Sequence, residues 1–277
     1  MKHTKLLLLP IFLISIQSCK DLSNPIIPFN DNFIYPLKIG NKWNYNASSE
    51  YSNITPDSIK YLFTNESIDL QVSVTRDTIL NTIKVYEMKE EGYENSVLYG
   101  YYSNEEEGFF KYAYNGGGSS VLPKTKMLKR FIYKDYHFNS ISDFINQQIG
   151  TLNLSKKTND TIIFFEQPRM IYSYPFEIGK EWIFSPNIVK INKEVIGKET
   201  VYTTAGVFEC YKIQWKFDFN LDGVFDDDFI YYEYVCSKGL LKTIVTMKNI
   251  KITSEENPDS IGHVDLKYER TLTGSNF

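Results

Sequence analysis

The chain has 277 residues, a formal net charge of −4 and a pI near 5.6, with no basic stripe, which excludes nucleic acid as an expected partner. Aromatic residues make up 16% of it, led by 21 Tyr and 19 Phe, and with its many Ile, Val and Thr this composition favours strands over helices. After the N-terminal segment no apolar run approaches the length a bilayer-spanning helix needs.

In chain order, residues 1–5 are basic and residues 6–16 apolar, with Ser18 before Cys19. This is the layout of a signal peptide over 1–18, and the apolar run is too short to span a membrane and is interrupted by Pro10. Cys19 resembles the lipidated Cys of a bacterial lipoprotein signal; Ile16 and Ser18 suit that pattern and Gln17 matches it loosely. The resemblance implies cleavage before Cys19, acylation there with palmitate-type chains, and attachment to the membrane through the lipid. Lys20-Asp21 does not fit inner-membrane retention, so the expected location is the outer membrane, with the periplasmic or surface face left open. Residues 19–32 carry Pro25 and Pro28 among mixed polar residues and read as a tether.

A first β unit is expected over 33–115. It opens on YPLKIGNKW at 35–43, and the stretch returns as YPFEIGKEW at 174–182, roughly half the chain later. In each copy the Pro favours extended backbone before it, the Gly permits a positive-φ turn, and the Trp starts a strand by burying a large ring. Alternating segments follow at 71–74 (QVSV), 82–89 (TIKVYEMK), 97–103 (VLYGYYS) and 109–114 (FFKYAY), and the charged turn 105–108 (EEEG) separates the last two.

Residues 116–160 read as a linker. Its Gly-rich start lacks the Gly-Lys-Ser/Thr of a phosphate loop and the flanking glycines of a nucleophile elbow. Lys124, Lys126, Lys129 and Arg130 read as a solvated basic face, and 140–150 (SISDFINQQIG) as one short helix with a Ser/Asp start and a closing Gly. A second β unit, 161–277, repeats the scheme with segments at 161–166, 195–202, 207–217, 229–236 and 239–247. The expected class is mainly β, the same antiparallel meander occurring twice with the short helix between.

Three motifs carry a family resemblance: the YPL-x-[IV]-G-x-x-W opening at 35–43 and 174–182, the G-x-F-x-C-Y-K-I strand at 206–213, and the aromatic strand running into Gly-Leu at 231–241. In these the chain resembles Bacteroidota lipoproteins that have no assigned chemistry. The resemblance implies strongly curved antiparallel sheets or partial barrels, and supplies no reaction.

With Cys19 lipidated, Cys210 and Cys236 remain, in an exported and oxidising compartment, and a disulfide between them is expected. If Phe217 pairs with Phe229 across the intervening loop, the two cysteines fall directly opposite, roughly 4.5–5.5 Å apart at Cα. Two buried free thiols are the alternative. The loop itself, DFNLDGVFDDD at 218–228, has the spacing of an EF-hand-type calcium loop. Asp218, Asn220 and Asp222 would supply oxygens, Gly223 the sharp turn, Val224 its carbonyl and Asp226 a further carboxylate. Phe229 stands where a bidentate Glu is usual, leaving that contact to Asp227 or Asp228, and a solvated acidic turn is the alternative.

No catalytic residue is assigned. His3, His137 and His263 have no metal-ligand spacing, and no Cys–His pair is visible. Acidic pairs abound, so a carboxylate-pair glycoside hydrolase stays open. Trp43, Trp182 and Trp215 are candidates either for sugar stacking or for core packing. The expected function is a lipid-anchored, non-enzymatic envelope lipoprotein with a structural calcium loop, binding a glycan, a lipid or an envelope protein. A hydrophobic-ligand carrier using a partial barrel is the alternative.

Overall fold

The structure, a computed structural model, describes residues 26–28, 32–92, 97–115, 129–139, 144–145, 162–185, 189–254 and 259–277. Cys19, the signal peptide, the start of the tether and most of the linker lie outside these residues. Of the expected helix, only Phe144 and Ile145 are described, and both are helical.

Apart from β1 (Ile26–Ile27) and the 3-10 turn Asp57–Leu62, the chain runs through two meanders. The first is β2 (Lys42–Thr55), β3 (Glu66–Leu80), β4 (Ile83–Glu91), β5 (Val97–Asn104) and β6 (Gly108–Asn115). A small hairpin follows, β7 (Lys129–Tyr133) and β8 (Tyr136–Phe138), then β9 (Ile163–Ser173). The second meander is β10 (Glu181–Ser185), β11 (Lys190–Thr203), β12 (Gly206–Asp218), β13 (Phe229–Cys236) and β14 (Gly239–Ser254), closed by β15 (Gly262–Ser275). Thus the mainly-β, strongly curved antiparallel architecture expected from the sequence is present. The two meanders are not separate layers, because β15 pairs with both β14 and β2 and joins them into one sheet, ordered β10-β11-β12-β13-β14-β15-β2-β3-β4-β5-β6-β9.

The twist of so many strands curls the sheet until its edges β9 and β10 meet. There the Trp182 indole donates to the Met170 carbonyl (3.2 Å) and Arg169 Nη1 to the Phe184 carbonyl (3.4 Å), making a nearly closed barrel. Alternation assigns the faces: Trp43, Tyr45 and Ala47 of β2 point in, as do Tyr211, Ile213, Trp215 and Phe217 of β12.

The repeated stretch has one local geometry in both copies. Gly40 and Gly179 sit at φ of 92° and 87°, open to glycine and strained for other residues. Gly40 N–H donates to the Val74 carbonyl as Gly179 N–H donates to that of Val195, and Asn41 N–H bonds the Lys38 carbonyl as Lys180 N–H bonds that of Glu177. A bulge follows each of those valines, between Val74 and Arg76 and between Val195 and Gly197. The two copies also touch. Tyr35 N–H donates to the Tyr174 hydroxyl (2.8 Å), that hydroxyl donates to Asn104 Oδ1 (2.8 Å), and Asn104 Nδ2 donates back to the Tyr35 carbonyl (2.7 Å). With Phe33 stacked on Phe176 and Tyr35 on Phe109, they plug one end of the barrel. At the other end β7 pairs with β14, and Phe131, Tyr133, Phe138 and Phe144 pack towards Phe219 and Phe229.

Candidate functional site

The inner face of the sheet lines a half-open hollow of about 320 Å³. Its wall is built by inward positions of β2–β6, β9, β10 and β12–β15, among them Tyr45, Tyr172, Trp215, Tyr231 and Tyr268. Burial raises the hydroxyl pKa of Tyr172 and Tyr231 well above the ordinary value and that of Tyr268 to about 12, so these phenols stay neutral donors.

Charged side chains interrupt this wall. Lys193, fully buried on β11, pairs with Glu233 of β13 (3.2 Å), donates to the Ile171 carbonyl (3.1 Å) and stands 3.7 Å from the centre of the Trp215 ring. Burial pulls its pKa down to about 8, with Glu233 opposing the shift. Arg270 of β15 bonds Glu90 of β4 (3.2 Å) and lies 4.1 Å over the Tyr45 ring. Burial opposes its charge, and Glu90 together with the Tyr45 and Tyr268 hydroxyls outweighs it and raises its pKa. Hence both lining carboxylates, Glu90 and Glu233, are held by cations. Lys111 and Arg169 also line the hollow, directly opposite each other on β6 and β9. Burial lowers the pKa of Arg169, with Glu166 opposing. Three buried donors at this wall, Trp215 Nε1, Arg169 Nε and Arg270 Nε, have no acceptor among the described residues.

The three tryptophans read as stacking or core residues are all buried: Trp43 at 0%, Trp182 at 7% and Trp215 at 6% exposure. This answers the choice in favour of packing, with Trp215 also facing the hollow.

The structure gathers the acidic loop on its own backbone. The Asp218 carboxylate, 1% exposed, accepts from the N–H groups of Asp222 (3.2 Å) and Gly223 (3.0 Å). Asp222 accepts from Val224 N–H (2.8 Å) and from Asn220 Nδ2 (2.8 Å). Asp226 accepts from Phe219 N–H (3.1 Å) and pairs with Lys134, which also reaches Asp228 (3.1 Å). Among the described residues no three His, Cys, Asp or Glu side chains are grouped to hold a metal ion. Lys134, a cation from the β7–β8 turn, was not legible as a partner of this loop in the sequence.

The cysteines follow the expected register. Trp215 pairs with Tyr231 and Tyr211 with Val235, so one further step sets Cys210 opposite Cys236. Both are buried free thiols, and a hydrogen bond to Cys236, followed by burial, raises the pKa of Cys210.

Sequence reasoning missed Lys193, Glu233, Arg270, Glu90, Lys111 and Arg169. A signal existed for Lys193, which sits between Ile191 and Val195 in an inward-facing series, and for Glu233, between Tyr231 and Val235. Nothing in the sequence paired them.

No family model and no curated protein matches the chain. Two solved structures are similar over most of its length. One, described as a lipoprotein from Parabacteroides distasonis, is 12% identical, covering 88% of this chain and 99% of its own, with a TM-score of 0.35. The other, described as an exported protein with a YmcC-like fold from Bacteroides fragilis, is 13% identical, covering 89% and 100%, with a TM-score of 0.34. At such scores the likeness is distant and says nothing of chemistry.

Proposed function

We propose that this protein is an outer-membrane lipoprotein, anchored through Cys19, that binds a ligand inside its curled sheet. The observation that carries the binding reading is the hollow of about 320 Å³ with buried N–H donors lacking acceptors, at the lower end of the usual size of small-molecule sites. The aromatic wall supports the carrier reading over capture of a protein partner on the outer face. The anchor is supported by the sequence from Met1 to Cys19 alone.

Binding is tested by titration with the neutral fluorophore N-phenyl-1-naphthylamine. Enhanced emission is expected with the wild type and is expected to vanish in Leu98→Trp, which fills the hollow from a half-buried lining position. No enhancement, or equal enhancement in a folded Leu98→Trp protein, refutes the site. For the anchor, labelling with radioactive palmitate should mark the wild type and spare Cys19→Ala, and an unlabelled wild type refutes it.

Two structural features belong to the same reading. We assign a disulfide to Cys210 and Cys236, formed when the two thiols give up two protons and two electrons to the thiol oxidants of an exported compartment. Its support is the cross-strand register. Thiol counting on unfolded, unreduced protein is expected to find none at these positions, and finding two overturns the bridge. We also assign calcium to the 218–228 loop, on its spacing and on the positive φ of Leu221 (58°) and Gly223 (89°). Against it stands Lys134, which already neutralises Asp226 and Asp228. Calcium should therefore displace Lys134 and raise the melting temperature relative to chelator. Coincident melts, with Asp222→Ala behaving as wild type, remove the assignment.

A further inference from the structure

The hollow is electropositive inside an acidic protein. Lys111, Arg169 and Arg270 line it and Lys193 adjoins it, against two carboxylates, Glu90 and Glu233. Those carboxylates are bound by Arg270 and Lys193, which leaves Lys111 and Arg169 as the excess. The two are cross-strand partners on β6 and β9, and like charges directly opposite destabilise a sheet. Among the described residues neither makes an ion pair. Lys111 Nζ lies 5.5 Å from the centre of the Tyr102 ring and 5.8 Å from that of Tyr114, and Arg169 lies 5.4 Å from that of Phe165. Rings flank the two cations. Arg169 Nη1 also donates to the Phe184 carbonyl (3.4 Å) and Glu166 favours its charge without forming an ion pair, while Arg169 Nε is buried with no acceptor among the described residues.

An arrangement of this kind is relieved by an anion between the two cations. Resting on the reading that the hollow takes a ligand, we propose that this ligand is an amphipathic oxyanion. Its carboxylate or phosphate-monoester head sits between Lys111 and Arg169, and its apolar body lies against the rings of Tyr172, Trp215 and Tyr231. The planar guanidinium of Arg169 suits either head, since both present paired oxygens.

Four probes with one apolar tail test this by calorimetric titration of the purified protein: octanoate, octyl phosphate, octan-1-ol and octylammonium. One of the two anions should bind about 10- to 100-fold more tightly than octanol, the range of a hydrogen bond to a charged group, and octylammonium should bind weakest. The order of octanoate and octyl phosphate identifies the head. Arg169→Met and Lys111→Met should each abolish the preference for the anion over octanol. Without ligand Lys111→Met should melt no lower than wild type, since it relieves the like-charge pair, whereas Arg169→Met also gives up the seam bond to the Phe184 carbonyl; a lower Lys111→Met melt with the anion preference intact overturns the clamp. If octanol binds as tightly as both anions, the oxyanion proposal falls and the binding hollow stands. If no octyl probe binds while the neutral fluorophore does, the proposal again falls alone. If neither the probes nor the fluorophore bind, both readings fall.

Discussion

Lys193→Met is expected to destabilise the protein by about 3–5 kcal/mol, because it leaves Glu233, 5% exposed, buried without its cation. The ammonium is held by the Glu233 carboxylate, the Ile171 carbonyl and the Trp215 ring. Methionine keeps the length and apolar stem and removes only the charge and its hydrogen bonds. Removing both partners should cost far less: Lys193→Met with Glu233→Leu is expected near wild type or more stable, since the desolvation of two ions is then avoided. Urea unfolding at constant m reads both variants. A single variant within about 1 kcal/mol of wild type would show that the pair is solvated and would sink this account. The same lysine predicts a pH dependence. Its folded pKa, about 8, lies below its ordinary 10.5, so between those values the unfolded chain binds the proton and the folded chain does not. Stability should therefore rise with pH across that window in the wild type, relative to Lys193→Met. Parallel curves for the two proteins from pH 8 to 10 would refute the shift.

Trp43→Ala should cost about 3–5 kcal/mol, the range for truncating a large buried ring. Trp43 is fully buried, packs 5.9 Å from Tyr35 and 5.1 Å from Phe277, and donates its indole N–H to the Lys238 carbonyl. It thus ties the start of β2 to the β13–β14 turn and to the C-terminus. Trp43→Phe should keep much of the packing and lose about 1–3 kcal/mol for the carbonyl left without its donor. Trp182→Ala should fall in the same class as Trp43→Ala, with one difference. Its indole spans the seam between β10 and β9 through the Met170 carbonyl, so loosening it should also weaken fluorophore binding in the hollow. Thermal melts rank the three, and a Trp43→Ala protein melting with the wild type would remove the ring from its structural role.

What the sequence determined by itself were the features set by local chemistry. The Tyr-Pro…Gly…Trp stretches each needed a positive-φ glycine before a strand, and Gly40 and Gly179 supply it with matching hydrogen bonds. Alternation along β12 put Tyr211, Ile213, Trp215 and Phe217 on the buried face, and hairpin register across one loop was enough to set Cys210 opposite Cys236. Tertiary structure alone decided the rest. That β15 joins the two meanders into one sheet depends on pairing with β2, more than two hundred residues earlier, and no local preference encodes such a partner. The acidic loop drew its counter-charge from Lys134, far back in the chain, because the β7–β8 hairpin folds beside it. The hollow follows the same logic. Lys193 with Glu233, Arg270 with Glu90, and Lys111 opposite Arg169 are each unremarkable in their own strands. They become a site only when curvature brings distant inward faces round a common space, where low dielectric makes every charge on the wall count.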